Sequence, residues 1–282
     1  MNRTIKKLWG EQTRMDLQLN GKRAIVTGRS GGIGESIAKT LAREGVTVVV
    51  QGRNEASAKR VAEEIEAQGD RAVVALGDLG TDEHAQQIVD TAIAALGGID
   101  ILVNNAGAFI PRGLMDATSQ DWAEIYNSDV ISMVRMVQRL VPGMKASGWG
   151  RIINLAAGAA TQPGFVAPDY AAAKAATVNL TVSLAQQLSG TGITCNTVSP
   201  GPIPTAGFQK MWFEIARKEG WAADTWEQVE QHLVEQVMKN PSNRLGRVED
   251  IANAVTFLSS PLSDWINGAN LRVDGGLTPV IN

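Results

Sequence analysis

The chain has 282 residues and a formal charge of −3, from 26 Lys and Arg against 29 Asp and Glu; 44% of it is hydrophobic, 20% charged and 5% aromatic. That balance is globular, long enough to bury a core without covalent staples, and it excludes disordered, collagen-like and coiled-coil chains. A slightly acidic surface exerts no general pull on nucleic acid or anionic membrane, while one cysteine, Cys195, and two separated histidines, His84 and His232, argue against disulfides, metal sites and Ser-His-Asp hydrolysis.

Residues 1–14, MNRTIKKLWGEQTR, are basic but lack the apolar stretch of a secretory signal, and no run of ~18 apolar residues suits a bilayer. A cytoplasmic protein is expected. Residues 1–19 read as an N-terminal extension, although Met15 would equally make a natural beginning, and 20–282 read as one domain. Residues 23–27 form an apolar strand ending at Gly28, and Ile33–Arg43 carries Ile33, Ile37, Ala38 and Leu41 on one helical face. The alternation continues with strand 46–50, helix 55–68, strand 72–75, helix 83–96 and strand 101–103. A long helical region over 119–145, strand 151–155, helix 170–188 and strand 193–198 follow; a helix over 249–259 leads to a last strand, Asn270–Val273. Apolar strands separated by helices imply a single α/β domain, a doubly wound parallel sheet of about seven strands with helices on both faces. Segment 201–240 departs from the alternation. It holds Trp212, Phe213, Trp221 and Trp226, with Val229, Leu233 and Val237 at helical spacing. It reads as a lid-like insertion that closes over a substrate and excludes water, or else as core or subunit packing.

Strand 23–27 runs into Thr27-Gly28-Arg29-Ser30-Gly31-Gly32-Ile33-Gly34 and then a helix. Glycines allow positive φ and close ligand approach, and unpaired N–H groups at a helix start attract phosphate. A pyrophosphate cradle is expected here, against the alternative of a plain tight turn. An NAD site places a carboxylate at the end of the second strand for the ribose 2′-hydroxyl, but Gln51-Gly52-Arg53-Asn54 contains no acid. Arg53 offers planar charged donors suited to a 2′-phosphate, with Arg29 as a second cation; the alternative is a solvated loop arginine. NADP(H) is therefore favoured over NAD(H).

From about residue 20 to 277 the chain resembles the classical short-chain dehydrogenase/reductase family. The family's TGxxxGxG pattern matches Thr27, Gly28, Gly32 and Gly34, and its NNAG block matches Asn104-Asn105-Ala106-Gly107. Its Tyr-x3-Lys matches Tyr170 and Lys174, and its proline–glycine turn followed by threonine matches Pro200, Gly201 and Thr205. Its closing glycine and DGG match Gly268 and Asp274-Gly275-Gly276. Overall the chain looks most like 3-oxoacyl-carrier-protein reductase-like members. The resemblance implies a Rossmann-type fold with the cofactor against Gly28, Arg29, Ser30, Gly32, Ile33 and Gly34. It adds Arg53, Asp78 and Leu79 at the adenosine end, Asn105, Ala106 and Gly107 further along, and Tyr170, Lys174, Pro200, Gly201, Ile203 and Thr205. It further implies a homotetramer or dimer packed through the helices around 119–145 and 170–188.

Tyr170 and Lys174 stand four apart on a helix and so share a face. A phenol with a pKa near ~10 is a poor base at neutral pH, and an adjacent ammonium favours the phenolate. Tyr170 then gives a proton to a developing alkoxide or removes one in oxidation; by resemblance, Lys174 also binds the nicotinamide ribose hydroxyls. Two further family positions are altered. The catalytic serine, thirteen residues before Tyr170, is replaced by Ala157, and the helix asparagine, seven after Trp122, by Asp129. Asn127 would serve only with a two-residue shift. Losing the serine hydroxyl removes a donor whose loss typically costs ~2.7–4 kcal/mol, with Thr161 and the polar loop near Arg112 as candidate substitutes. Asp129, if near Lys174, offsets the ammonium's field at Tyr170.

Two functions follow. One is an NADP(H)-dependent oxidoreductase passing a hydride between nicotinamide and a small-molecule carbonyl or secondary alcohol, with Tyr170 as acid/base. The other, motivated by Ala157 and Asp129, is an NADP(H)-binding protein with little or no activity, a sensor or inactive partner. The substrate pocket is expected from the loops after Gly107, Leu155 and Gly201, the most variable kind of segment, so the sequence does not name the substrate. No metal, nucleic acid or membrane partner is expected.

Overall fold

Short β-branched runs alternate with amphipathic helices along the whole chain. In the computed structural model, which describes residues 15–28, 32–164 and 166–280, these runs become β1 (Arg23–Val26), β2 (Thr47–Gly52), β3 (Ala72–Leu76), β4 (Ile101–Asn104), β5 (Gly150–Leu155), β6 (Ile193–Pro200) and β7 (Asn270–Val273). All pair in parallel, in the order β3-β2-β1-β4-β5-β6-β7. The connecting helices are α1 (Ile33–Arg43), α2 (Glu55–Glu66), α3 (Asp82–Leu96), α4 (Ser119–Tyr126), α5 (Ser132–Ser147) and α6 (Pro168–Gln187), then α7 (Ala206–Lys218), α8 (Trp226–His232) and α9 (Val248–Leu258).

Successive strand residues turn to opposite faces, and both faces are covered. Ala24 and Val26 of β1 join Val48, Val50 and Val103 under Ile37 and Leu41 of α1, Val61 of α2 and Val255 of α9. Ile25, Val49, Leu102 and Ile152 face the other way, under Ile88 of α3 and Met136 and Leu140 of α5. Each Val, Ile, Leu or Met among these, fully buried, contributes roughly 1.5–3 kcal/mol, so β1 to β4 are largely apolar runs, while β5 and β6 also bury Arg151, Asn154, Asn196 and Thr197. Ions tie α1 to α2 on the surface: Glu35 pairs with Lys39 and Arg60, both at 2.6 Å, and Glu64 of α2 pairs with both cations as well.

One segment differs from the sequence expectation, and a second takes one of the alternatives it left open. The long helix expected over 119–145 is interrupted by a π turn at Asn127–Ile131, between α4 and α5. Segment 201–240 folds into α7, α8 and a second π turn, Leu233–Val237, around a cluster of its own that includes Ala216, Val229, Leu233 and Leu245. Its tryptophans pack on one another: Trp212 stacks on Trp221 at 6.0 Å between ring centroids, and Trp221 lies 3.9 Å from the His232 ring. These rings hold the insertion together. Among the described residues no helix is long and apolar enough to cross a membrane.

Candidate active site

The order of the sheet reverses between β1 and β4, and open α/β sheets bind ligands at such a reversal, beyond the carboxyl ends of the strands. There β1 runs into Gly28, at φ +67°, where an added Cβ would stand 2.3 Å from the Ala106 Cα. The glycine turn thus touches the Asn105-Ala106-Gly107 loop after β4. Thr27 Oγ1 accepts the backbone N–H groups of Asn105 and Ala106, each at 3.1 Å, and the Asn105 amide donates to the carbonyls of Thr27 and Gly28. Gly32 also lies at φ +67°, and a Cβ there would meet Thr205 Cγ2 at 2.7 Å. Thr205 is the N-cap of α7, so the turn after Pro200 and Gly201 lies over the glycine loop.

The N-cap of α1 is Gly32, which has no side chain to accept the first N–H groups of the helix, a start suited to an outside acceptor. The acid in that first turn, Glu35, is held down to about 2 by the Arg60 hydrogen bond and by Lys39, against its burial, so its charge is matched. A helix start behind two positive-φ glycines, each too crowded for a Cβ, fits a pyrophosphate. Arg29 and Ser30, expected to line it, lie outside the described residues.

At the end of β2 the three side chains of Gln51, Arg53 and Asn54 separate by role. Gln51 is buried, accepts the Gly28 N–H at 3.0 Å and donates to the Gly77 carbonyl at 2.8 Å. Asn54 caps α2 by accepting the Ser57 N–H. Arg53 is left at the rim, 79% exposed, its one ion pair among the described residues a loose 3.6 Å contact with Asp78. Leu79 and Ile203 are buried.

Tyr170 and Lys174 sit in the first two turns of α6. The Lys174 ammonium is buried, donates to the Leu155 carbonyl at 3.1 Å and lies 5.5 Å from the centroid of the Tyr170 ring. Asp129, also buried, projects from the π turn and brings Oδ2 to 3.1 Å from Lys174 Nζ, an ion pair rather than a well-aligned hydrogen bond. Its Oδ1 accepts the Ala108 N–H at 2.8 Å. Gly107 lies between the pair, where a Cβ would stand 2.8 Å from Asp129 Oδ2 and 3.1 Å from Lys174 Nζ. Burial works against the Lys174 ammonium, yet Asp129 and Tyr170 together hold its pKa above the ordinary value. For Tyr170 burial raises the pKa, Lys174 pulls it down, Asp129 pushes it up, and the net direction is up.

The candidate stand-ins for the absent groups are committed elsewhere. Asn127 donates to the Gly80 carbonyl and accepts from Arg135, and Thr161 donates to the Gly158 carbonyl. Arg112 bridges Asp121 and the fully buried Asp169, which precedes Tyr170. Ala157 follows β5 in extended conformation. Sequence reasoning missed Gln51 beneath Gly28 and Phe109, whose ring meets the Tyr170 ring edge-on at 5.2 Å. Neither has a local signal, since each acts on a partner distant in sequence.

A glycine cradle at the order reversal and a half-buried Tyr170 beside the buried Lys174 at the same edge put the protein among the dinucleotide-binding α/β oxidoreductases. The model of a family described as enoyl-(acyl carrier protein) reductase matches residues 28–278. An oxidoreductase of Bacillus subtilis (strain 168), YvaG, is 38% identical over 265 residues, covering 93% of this chain and 98% of the relative. The structure of L-sorbose reductase from Gluconobacter frateurii with NADPH and L-sorbose superposes with a TM-score of 0.89 at 32% identity, covering 95% of this chain and 100% of that one. A 7α-hydroxysteroid dehydrogenase structure with NADH and 7-oxo glycochenodeoxycholic acid gives 0.82 at 34% identity, covering 95% and 98%; the Escherichia coli (strain K12) enzyme of that name is a curated relative at 34% identity, covering 95% and 98%. The chain belongs to the short-chain dehydrogenase/reductase family.

Proposed function

We propose that the protein is an NADP(H)-dependent oxidoreductase that interconverts a small-molecule ketone and its secondary alcohol, with Tyr170 exchanging the proton. The observation that carries this reading is the buried Lys174 ammonium beside the Tyr170 ring at the sheet edge that holds the glycine cradle. Arg53, free of the structural duties that occupy Gln51 and Asn54, supports the 2′-phosphate. The NADPH of L-sorbose reductase agrees with that preference; the NADH of the steroid dehydrogenase does not.

When bound, the nicotinamide supplies the hydride in reduction and accepts it in oxidation. As the carbonyl carbon gains that hydride, Tyr170 Oη donates its proton to the carbonyl oxygen; in oxidation it takes the proton back. Lys174 sets the field at the phenol, and Ala157 contributes no second donor to the carbonyl oxygen. The rim beside Tyr170 is apolar: Phe109, Ile110 and Val166 are each more than two-fifths exposed, and the Val166 carbonyl accepts the Arg112 N–H at 2.8 Å. Assembly as a homo-oligomer through α5 and α6 belongs to the same reading. A groove of about 350 Å³ there is lined by Val137, Val141, Leu180 and Leu184, and sedimentation of the purified chain reads the outcome.

Purified protein given NADPH and a panel of ketones, keto-esters and quinones should consume the reduced nicotinamide, and Tyr170→Phe should slow this by at least ~100-fold, the lower bound for a general acid. NADPH binding without turnover across that panel, unaltered by Tyr170→Phe, would establish the alternative, an inactive nucleotide-binding partner.

A further inference from the structure

The ion pair between Asp129 and Lys174 alters what the tyrosine is able to do. An unopposed ammonium beside a phenol stabilises the phenolate. Here that ammonium has a carboxylate 3.1 Å away, both groups are buried, and solvent screens neither. The carboxylate is fixed on its other side by the Ala108 N–H, and the side-chain-free Gly107 is what admits the two charges to contact. Of the other charged groups near Tyr170, Asp169 beside it and Asp121 on α4 share the single guanidinium of Arg112, one positive charge between two carboxylates. The loop after Gly107 adds the uncharged Phe109, and the short turn Gly158–Ala160 adds no charge. Among the described residues, Lys174 and Asp129 are the charged groups that shift the phenol's ionisation.

We propose that Asp129 is a positioning residue that, by pairing with Lys174, makes Tyr170 a proton donor rather than a proton acceptor near neutral pH. Ketone reduction then runs undiminished through neutral pH, and alcohol oxidation gains its base only in alkaline solution. The inference rests on the oxidoreductase reading above and adds to it which protonation state of the site is the resident one. The reaction balances as ketone, NADPH and a proton giving alcohol and NADP⁺. The two electrons travel with the hydride, the Tyr170 proton goes to the carbonyl oxygen, and solvent restores it. Because the two directions share one ionisation, moving it must displace both pH profiles together. The direction in which Asp129 displaces the Tyr170 ionisation agrees with this assignment.

The test uses Asp129→Asn, whose amide oxygen can still accept the Ala108 N–H. The chain has only two tyrosines, Tyr126 and Tyr170, so a spectrophotometric phenolate titration with Tyr170→Phe as the blank reads Tyr170 alone. In Asp129→Asn the Tyr170 titration should move down by about one unit or more, the range for a neighbouring charge. The fall of ketone reduction and the rise of alcohol oxidation with pH should move down by the same amount. Superimposable titrations in the two proteins, or reduction and oxidation profiles that do not move, overturn the proposal. Removing one partner of a buried pair is destabilising. Should Asp129→Asn fail to fold, the same titration is run on Asp129→Ser, shorter and uncharged: a downward shift of about one unit or more supports the proposal, and an unmoved titration overturns it. A downward titration shift in a protein that turns over no substrate supports the proton-donor assignment and sinks the oxidoreductase reading instead, which keeps the two failures apart.

Discussion

Ala157 stands where the family resemblance places a hydroxyl, while Thr161 donates to Gly158 and Arg112 pairs with Asp121 and Asp169. Polarising the carbonyl then falls to Tyr170. Restoring the donor by Ala157→Ser should raise kcat for ketone reduction by about 100-fold, toward the ~10²–10³ that one such hydrogen bond supplies. Unchanged kinetics across the ketone panel would show that the site has specialised around the alanine. Arg53 makes a second residue-scale prediction. Its guanidinium is exposed and only loosely held by Asp78, so Arg53→Ala should leave stability unchanged and raise KM for NADPH by about tenfold or more, the worth of one charge-assisted contact, with KM for NADH little altered. Equal effects on both cofactors, measured by initial rates, would remove the 2′-phosphate from Arg53. At this scale most of the site was legible. The motif residues Gly28, Gly32, Tyr170 and Lys174 are each dictated by a local need, positive φ at the two glycines and one helical face for the pair.

Between elements, charge holds α1 to α2 through Glu35, Lys39, Arg60 and Glu64. The Glu35 carboxyl, at about 2 against an ordinary 4.5, is depressed in the folded protein. A depressed carboxylate contributes stability that is present above its unfolded pKa and is lost as pH falls through the folded one. Glu35→Gln should therefore lower the urea-unfolding free energy by about 1–2 kcal/mol at pH 7, after discounting for the half-exposed Arg60, and the difference should shrink between about pH 4.5 and 2. A difference that is constant over that range would assign the loss to packing. The helices themselves were read to within a few residues, since their apolar faces repeat at helical spacing. The π turn at Asn127–Ile131 was not. An extra residue within a helical turn leaves the apolar pattern on either side intact, and nothing in NSDVI marks it. Yet it lies where the site needs it, and π turns recur at functional sites. Residues two apart on a helix point to nearly opposite faces, so Asn127 reaches Gly80 and Arg135 while Asp129 reaches Lys174.

For the whole molecule, the alternation of apolar strands with helices foretold a parallel sheet covered on both faces, and seven strands in the order β3-β2-β1-β4-β5-β6-β7 realise it. The segment over 201–240 was expected either to close over a substrate or to serve as core or subunit packing, and its aromatics pack into a small core. Aromatic content reports that rings need burial; it does not say against what. Element type, the glycine cradle and the Tyr–Lys pair were set by the sequence alone, because periodicity, backbone freedom and spacing along one helix act over a few residues. Which carboxylate meets the buried ammonium, which amide supports the glycine turn and which arginine is left free were decided by the tertiary structure. Those contacts join residues from different strands and helices, and a Coulomb or hydrogen-bond energy has no value until the fold sets the distance and excludes the water between them.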